Sequence, residues 1–326
     1  MTPIKIYNDN RRFVVDWTLN TLCTYKCSYC PTELHEGVNF LKSKNEDPEI
    51  IYNFLVKLRE ELLGRSVHIF VNGGEPTISP SLETIIDFCN DTGWCLYVNT
   101  NCSRSIDWWE EYAPKIYKVT VSYHPESADE EIFDKIALIG NVTNIGVFTL
   151  MYPVSPYWEK SVAAFERIKA LNNIRLEPTR VFQRADRARS SISYDYSEEQ
   201  LNWLKENSNL DIGTHVVTKT PPPGNSFGTT WSKYENETVI KFDEVETVNS
   251  RNNKYTGWNC NMGMDYIHIT DSGHIYPAVC TVKPGRIFMT DIFNFKGLRT
   301  KPTKCREEWC MCTNDVLISK EKPNEQ

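Results

Sequence analysis

The sequence has no long apolar run, no block of basic residues and no excess of positive charge. Its longest apolar stretches, such as IGVFTLMYP (145–153), extend over about nine residues, whereas a helix needs roughly 20 to cross a bilayer. The opening MTPIKIYNDNRRF lacks the apolar segment of a secretion signal. A soluble, cytoplasmic protein without a membrane partner is therefore expected. Lys and Arg number 36 against 43 Asp and Glu, for a formal charge of −7, and no Lys/Arg run exceeds two residues. Nucleic-acid binding, which draws on a basic face, is not expected. Arg180, Arg184, Arg187 and Arg189 alternate with small residues and read as a solvated surface able to face a substrate.

What the chain does have is cysteine, 11 in 326 residues. A reducing cytosol keeps thiols free, and an odd number cannot pair completely, so metal or cluster binding is the better reading than a disulfide framework.

Six short runs rich in Val, Ile, Thr, Tyr and Phe predict strands: Val14–Leu22, Val67–Val71, Leu96–Asn99, Lys118–Ser122, Asn144–Met151 and Ile174–Phe182. Helical grammar lies between them. In Asp47–Gly64, Asp47 stands at the N-cap, Pro48 in the first turn and Gly64 past the end. Pro156–Leu171, a shorter helix around Leu82–Cys89 and Glu130–Ile139 follow the same apolar spacing. Alternating strands and helices imply a parallel sheet with right-handed crossovers, either an open doubly wound sheet or a partial barrel. Chemistry in either belongs at the carboxyl ends of the strands. After a helix at Ser197–Glu206, the Pro/Gly-rich TKTPPPGNSFG (218–228) reads as a linker or loop, followed by a strand at Val239–Val248 and a hairpin turning at Asp271–Gly273. The expected division is 1–215 for the α/β part and 216–326 for a smaller cysteine-rich part.

Directly after the first strand, CTYKCSYC places Cys23, Cys27 and Cys30 on one short loop. Three thiolates so spaced can hold three irons of a [4Fe–4S] cluster and leave the fourth open, the mark of a catalytic metal site. Structural zinc and unliganded thiols are the alternatives, but zinc sites usually draw cysteine pairs from two places. One strand later comes NGGEPT (72–77). Its glycines permit close approach of backbone to a ligand, and its carboxylate can accept from an ammonium group.

Cys-x3-Cys-x2-Cys with Tyr29 before the last cysteine, followed by Gly-Gly-Glu-Pro, resembles the signature of the radical S-adenosylmethionine (SAM) superfamily. The resemblance implies a partial (β/α)6 TIM-like barrel and a cluster whose open iron is chelated by SAM. It also implies reductive cleavage of SAM to a 5′-deoxyadenosyl radical, with electrons from a donor such as flavodoxin or ferredoxin. Tyr29 accompanies the cluster loop; Gly73, Gly74 and Glu75 would hold the methionine end of SAM, and Pro76 would stiffen the turn. Strand-end residues Asn99 and Asn101, and Ser122 and His124, are further candidates for contact with SAM or substrate.

Five more cysteines, Cys260, Cys280, Cys305, Cys310 and Cys312, fall in the last third. With the hairpin between Cys260 and Cys280 they resemble a SPASM or twitch extension, which carries auxiliary clusters. Five cysteines suit one auxiliary [4Fe–4S] cluster rather than two. Cys260, Cys280, Cys310 and Cys312 are the first choice of ligands, with Cys305 competing, and a zinc ribbon is the alternative. Cys89 and Cys95 read as structural, and Cys102 as able to face the active site.

Enzymes with such an extension act on peptides or small polar molecules. The expected reaction is hydrogen abstraction leading to oxidation or cross-linking of a peptide, with dehydrogenation of a small polar metabolite as second reading. Tyr152, Glu177, Arg180 and Arg184 are the substrate-side candidates, Glu177 as base and Arg180 as a carboxylate clamp. An electron-transfer protein and a zinc-stabilised binding module are the readings from other classes.

Overall fold

The computed structural model describes residues 3–31, 47–185, 190–208, 218–282, 288–310 and 313–323. The chain opens with β1 (Lys5–Asn8) and β2 (Phe13–Asn20). Next come α1 (Pro48–Glu61), β3 (Val67–Gly73), α2 (Ser81–Thr92), β4 (Cys95–Thr100), α3 (Ile106–Tyr112) and β5 (Lys118–Tyr123). The alternation ends with α4 (Ile132–Val142), β6 (Asn144–Met151), α5 (Tyr157–Lys169) and β7 (Ile174–Arg180). A hairpin, β8 (Phe182–Ala185) and β9 (Ser190–Ser193), and α6 (Glu198–Asn207) follow. Then come β10 (Thr230–Lys233), β11 (Val239–Lys241), α7 (Glu244–Asn249), β12 (Asn259–Cys260), β13 (Tyr266–Ile269) and β14 (His274–Tyr276). The last elements are β15 (Thr290–Asp291), β16 (Thr303–Lys304), α8 (Thr313–Val316) and β17 (Lys320–Glu321).

Strands β2 to β7 lie side by side in chain order, all parallel. A doubly wound sheet reverses its order at a switch point; this one never does. The fold is a partial (β/α)6 barrel, and the helices share one face. Trp17, Val71, Val98, Val121, Val147 and Leu176 point to that face and join Phe54, Leu55, Ile85 and Phe165 of the helices in one core. The alternate residues, among them Asp16, Asn72, Asn99, Ser122 and Glu177, therefore face the concave side.

Several boundaries follow caps legible in the sequence. The Asp47 side chain accepts from the amides of Glu49 and Ile50 to start α1, and Ser197 forms a capping box with Gln200 to start α6. The expected strand Val239–Val248 is corrected: β11 stops at Lys241, and Asp243 caps α7 by accepting from the Glu246 amide. Apolar spacing there allowed either period, and the cap decides it.

The expected division at residue 216 is bridged by both larger sheets. β13 pairs in parallel with β2 and carries β14 and β15 into the barrel sheet, while β1 pairs with β10 and β17. The segment 218–228 closes the amino end of the barrel. The Asn225 side chain accepts from Val67 N (2.9 Å) and donates to Gly93 O (2.8 Å), and Lys219 Nζ donates to Pro114 O (2.7 Å). Phe227 plugs the lumen edge-on to His68 (4.8 Å between ring centres), with the Arg12 guanidinium 4.0 Å from its own centre. Among the described residues, a cleft opens at the opposite, carboxyl end of the strands. Among the described residues no helix is long and apolar enough to cross a membrane.

This plug carries a pH signature. His68 is fully buried between Ser66 Oγ (2.8 Å) and Tyr97 OH (3.1 Å). Burial, helped by the Arg12 charge, pushes its pKa down to about 3. The unfolded chain takes up this proton near pH 6.5 and the native chain does not, so stability rises with pH between about 3 and 6.5. Between pH 7 and pH 5 the His68→Gln variant is expected to lose about 2 kcal/mol less stability than the wild type, measured by urea unfolding at both values.

Candidate active site

Asn20 ends β2 and ties two loops together. Its Oδ1 accepts from Leu22 N (3.0 Å), its Nδ2 donates to Glu75 O (3.0 Å), and its carbonyl accepts from Gly74 N (3.0 Å). The register of β2 on β3 shifts between Thr18 and Asn20. That shift brings the Asn20 carbonyl so close to Gly73 that a Cβ there would lie 2.5 Å from its oxygen. Only glycine fits. Asn20 carries no motif of its own, which is why the sequence reading missed it.

Beyond Leu22 the cysteine loop folds back on itself, with Cys30 N donating to Cys27 O (3.0 Å). Cys23 Sγ accepts from Tyr25 N (3.3 Å) and from Asn101 Nδ2 (3.4 Å). Cys27 Sγ lies 3.4 Å from His124 Nδ1 and 3.7 Å from Ser127 Oγ. Tyr29 OH reaches the same His124 nitrogen at 3.1 Å, and its ring meets Tyr152 edge-on. Glu126, also missed from sequence, clamps the loop by accepting from Ser28 N and Ser28 Oγ, both at 2.6 Å.

The three thiols open on a cleft of about 690 Å³, counted out to its mouth, at the carboxyl end of the barrel. Gly73, Gly74, Asn72, Asn99, Asn101, Ser122 and His124 line it. The structure thus brings together most residues singled out from sequence. Burial pushes the Cys23 and Cys27 thiols up, so a metal must displace their protons to bind. Burial also pushes His124 down to about 4, which leaves a neutral ring beside Cys27.

Glu75 differs from its expected place. Its side chain is fully buried and lies outside the cleft lining. Oε1 accepts from Thr77 N (2.9 Å), Thr77 Oγ1 (2.5 Å) and Thr100 Oγ1 (2.8 Å), and Oε2 accepts from Asn101 N (2.6 Å). Burial raises its carboxyl pKa, while these four donors pull the other way. The carboxylate shapes the loops behind the cleft; the backbone of Gly73 and Gly74 faces it. Pro76, buried, begins the one-turn helix that Glu75 caps.

The substrate-side residues are separated. Glu177 alternates with Leu176 and Pro178 and lies on the concave face. Arg180, three residues on, has the opposite parity and sets its guanidinium 5.9 Å from the Tyr196 ring centre. The expectation that Arg180 faces the substrate as a carboxylate clamp is therefore corrected, since its side chain does not share the face of Glu177. The Arg184 side chain, and Arg187 and Arg189, lie outside the described residues. Tyr152 is buried among Tyr29, Tyr157 and Tyr194. Cys102 turns into the core, 1% exposed, and does not face the cleft; Cys89 and Cys95 are buried as expected.

In the C-terminal part, Cys260, Cys280, Cys305 and Cys310 line one apolar pocket of about 330 Å³, counted out to its mouth, with Tyr255, Trp309 and Lys320. The hairpin β13–β14 separates the first two, closed by Gly273 N donating to Thr270 O (2.8 Å). Cys305 N donates to Trp258 O (2.7 Å), Cys310 N to Asn253 O (2.9 Å), and Cys280 N to Asp315 Oδ2 (2.7 Å). Cys305 thus joins the group; Cys312 lies outside the described residues. Burial raises Cys280 and pushes Cys310 up to about 12. In both places the thiols ring a space, and among the described residues no three His, Cys, Asp or Glu side chains close on a single-ion point.

Residues 17–175 match the family described as the radical SAM superfamily. The class is one of enzymes, and its cofactors are a [4Fe–4S] cluster and SAM. No curated protein matches the chain. Among solved structures, the chain is similar to Streptococcus suis SuiB bound to S-adenosylmethionine, with 12% identity and a TM-score of 0.49, over 86% of this chain and 63% of that one. SuiB bound to its precursor peptide SuiA matches at 13% identity and TM-score 0.46, over 86% and 62%. BtrN in complex with AdoMet and 2-DOIA matches at 11% identity and TM-score 0.38, over 86% and 78%. The chain thus spans about 63% of the length of SuiB.

Proposed function

We propose that Cys23, Cys27 and Cys30 hold the catalytic [4Fe–4S] cluster and that SAM occupies the cleft between them and the Gly73–Gly74 backbone. The observation that carries this reading is the convergence in one cleft of three thiols, the backbone at Gly73, which tolerates no Cβ, and the strand-end polar groups of Asn72, Asn99 and Ser122. When bound, cluster and SAM supply hydrogen-atom abstraction from a substrate. The protein's part is positional. Asn20 and Glu75 fix the two loops, the strap 218–228 and Phe227 close the far end to water, and the concave face presents the substrate.

That face favours a peptide undergoing oxidation or cross-linking. Phe148, 37% exposed, stands beside Glu177 in register between β6 and β7, an apolar surface next to an acid. Glu177 is the base for proton loss. The same carboxylate suits the amine of a small polar metabolite, the second reading. Cys260, Cys280, Cys305 and Cys310 bind one auxiliary [4Fe–4S] cluster in a SPASM/twitch-like extension, which accepts the electron released by the oxidised substrate.

Iron, sulfide and zinc content after anaerobic reconstitution tests this together with 5′-deoxyadenosine formation under dithionite. About eight irons and SAM-dependent 5′-deoxyadenosine are expected. About four irons would remove the auxiliary cluster, and no 5′-deoxyadenosine would remove the catalytic reading. The Cys280→Ala variant is expected to keep 5′-deoxyadenosine formation and lose about four irons. Deuterium transfer from labelled candidate peptides or metabolites into 5′-deoxyadenosine separates the two substrate classes.

A further inference from the structure

Lys320 is a buried cation that the reaction described so far does not use. It sits on β17, 3% exposed, in the wall of the cavity ringed by Cys260, Cys280, Cys305 and Cys310. Its Nζ donates to Asp315 O (2.9 Å) and Val316 O (3.2 Å), lies 3.7 Å from Cys310 Sγ, and stands 4.5 Å from the Tyr255 ring centre. The Asp315 carboxylate, 1% exposed, is turned to another task, accepting from Val279 N (3.2 Å) and Cys280 N (2.7 Å).

Burying an ammonium group is costly unless opposite charge lies close by. Two carbonyls and a ring face satisfy its donors, and the carboxylate whose charge favours it, Asp315, spends its own hydrogen bonds on Val279 N and Cys280 N. Four thiolates on a cluster would supply that opposite charge, and one of their sulfurs already lies within reach of the third N–H. We propose that Lys320 is the built-in counter-charge of the auxiliary cluster, donating to the Cys310 sulfur and raising the cluster's reduction potential so that it accepts the substrate's electron. A positive charge and an N–H···S contact both favour the reduced, more negative cluster, and both are known determinants of cluster potential. Lys320 is in these terms a positioning and tuning residue. The inference rests on the reading of the four cysteines as cluster ligands.

The test is an EPR-monitored redox titration of the full chain carrying Cys23→Ala, Cys27→Ala and Cys30→Ala, so that only the auxiliary cluster reports. In that background Lys320→Met is expected to keep about four irons while the reduced-to-oxidised ratio at a fixed potential falls at least about tenfold, a midpoint about 59 mV lower for one electron. Lys320→Arg is expected to stay within about threefold of the parent, because it restores the charge. An unchanged ratio in Lys320→Met overturns the proposal. If Lys320→Met loses its iron, the same comparison is made on Lys320→Gln, which keeps an N–H donor without the charge. Loss of iron from both neutral variants but not from Lys320→Arg supports the counter-charge, expressed as assembly. Loss from all three overturns it. Zinc, or no iron, in the parent background overturns the ligand reading itself, an outcome distinct from an unmoved potential.

Discussion

The Cys27→Ala variant is expected to fold, to carry about four irons instead of eight, and to form no 5′-deoxyadenosine above background. Cys27 is 3% exposed but belongs to the small aromatic cluster around Tyr29 and Tyr152, not to the main core between sheet and helices. Its removal leaves the barrel's packing intact. The loop also keeps its other anchors, Ser28 on Glu126 and Tyr29 on His124. The loss is therefore one of metal ligation, since the thiolate is the ligand and alanine offers none. Circular dichroism and urea midpoint check the fold, iron analysis the cluster, and chromatography the 5′-deoxyadenosine. A variant that still cleaves SAM at the wild-type rate would remove Cys27 from the site.

A second large effect is expected from one methyl group. In Gly73→Ala the new Cβ meets Asn20 O at 2.5 Å and Asn20 N at 3.3 Å, both backbone atoms. They cannot rotate away as a side chain would, so β2 or β3 must move. Asn20 moves with them, and through it Leu22 at the base of the cysteine loop and Glu75 behind the cleft. A displacement on the order of 1 Å at a reacting centre costs about 100-fold in rate. SAM affinity by equilibrium dialysis and the rate of 5′-deoxyadenosine formation are each expected to fall by about that factor. Gly64→Ala is the control. Gly64 has φ of +72° but nothing within 4 Å of its Cβ position, so alanine there brings left-handed strain alone. It is expected to cost about 1–2 kcal/mol of stability and leave SAM binding unchanged.

Much of this was legible in the residues. The six parallel strands announced themselves because each is apolar on the helix-facing side and short. Helix α1 did so because Asp47 and Pro48 are local signals that need no partner elsewhere. The cysteine loop and the glycine pair were legible for the same reason, as chemistry concentrated within a few residues.

What stayed hidden depended on partners far along the chain. Asn20, Glu126 and Lys320 are ordinary residues until Glu75, Ser28 and Cys310 arrive beside them. The carboxylate of Glu75 looked like a ligand group because sequence shows its charge and not its four donors. Glu177 and Arg180 both read as substrate-facing because nearness in the chain does not show which face of a pleated strand a residue takes. The choice of barrel over doubly wound sheet also waited for the fold, since both have the same alternation and differ only in which neighbours pair.

By itself the sequence determined the class of chemistry, through three thiols and a glycine rim that local backbone geometry places at strand ends. Tertiary structure alone decided which side chains face that chemistry, because burial and hydrogen bonding act between residues that the chain holds far apart. It also gathered Cys305 with Cys260, Cys280 and Cys310 around one pocket, and set the buried ammonium of Lys320 against them.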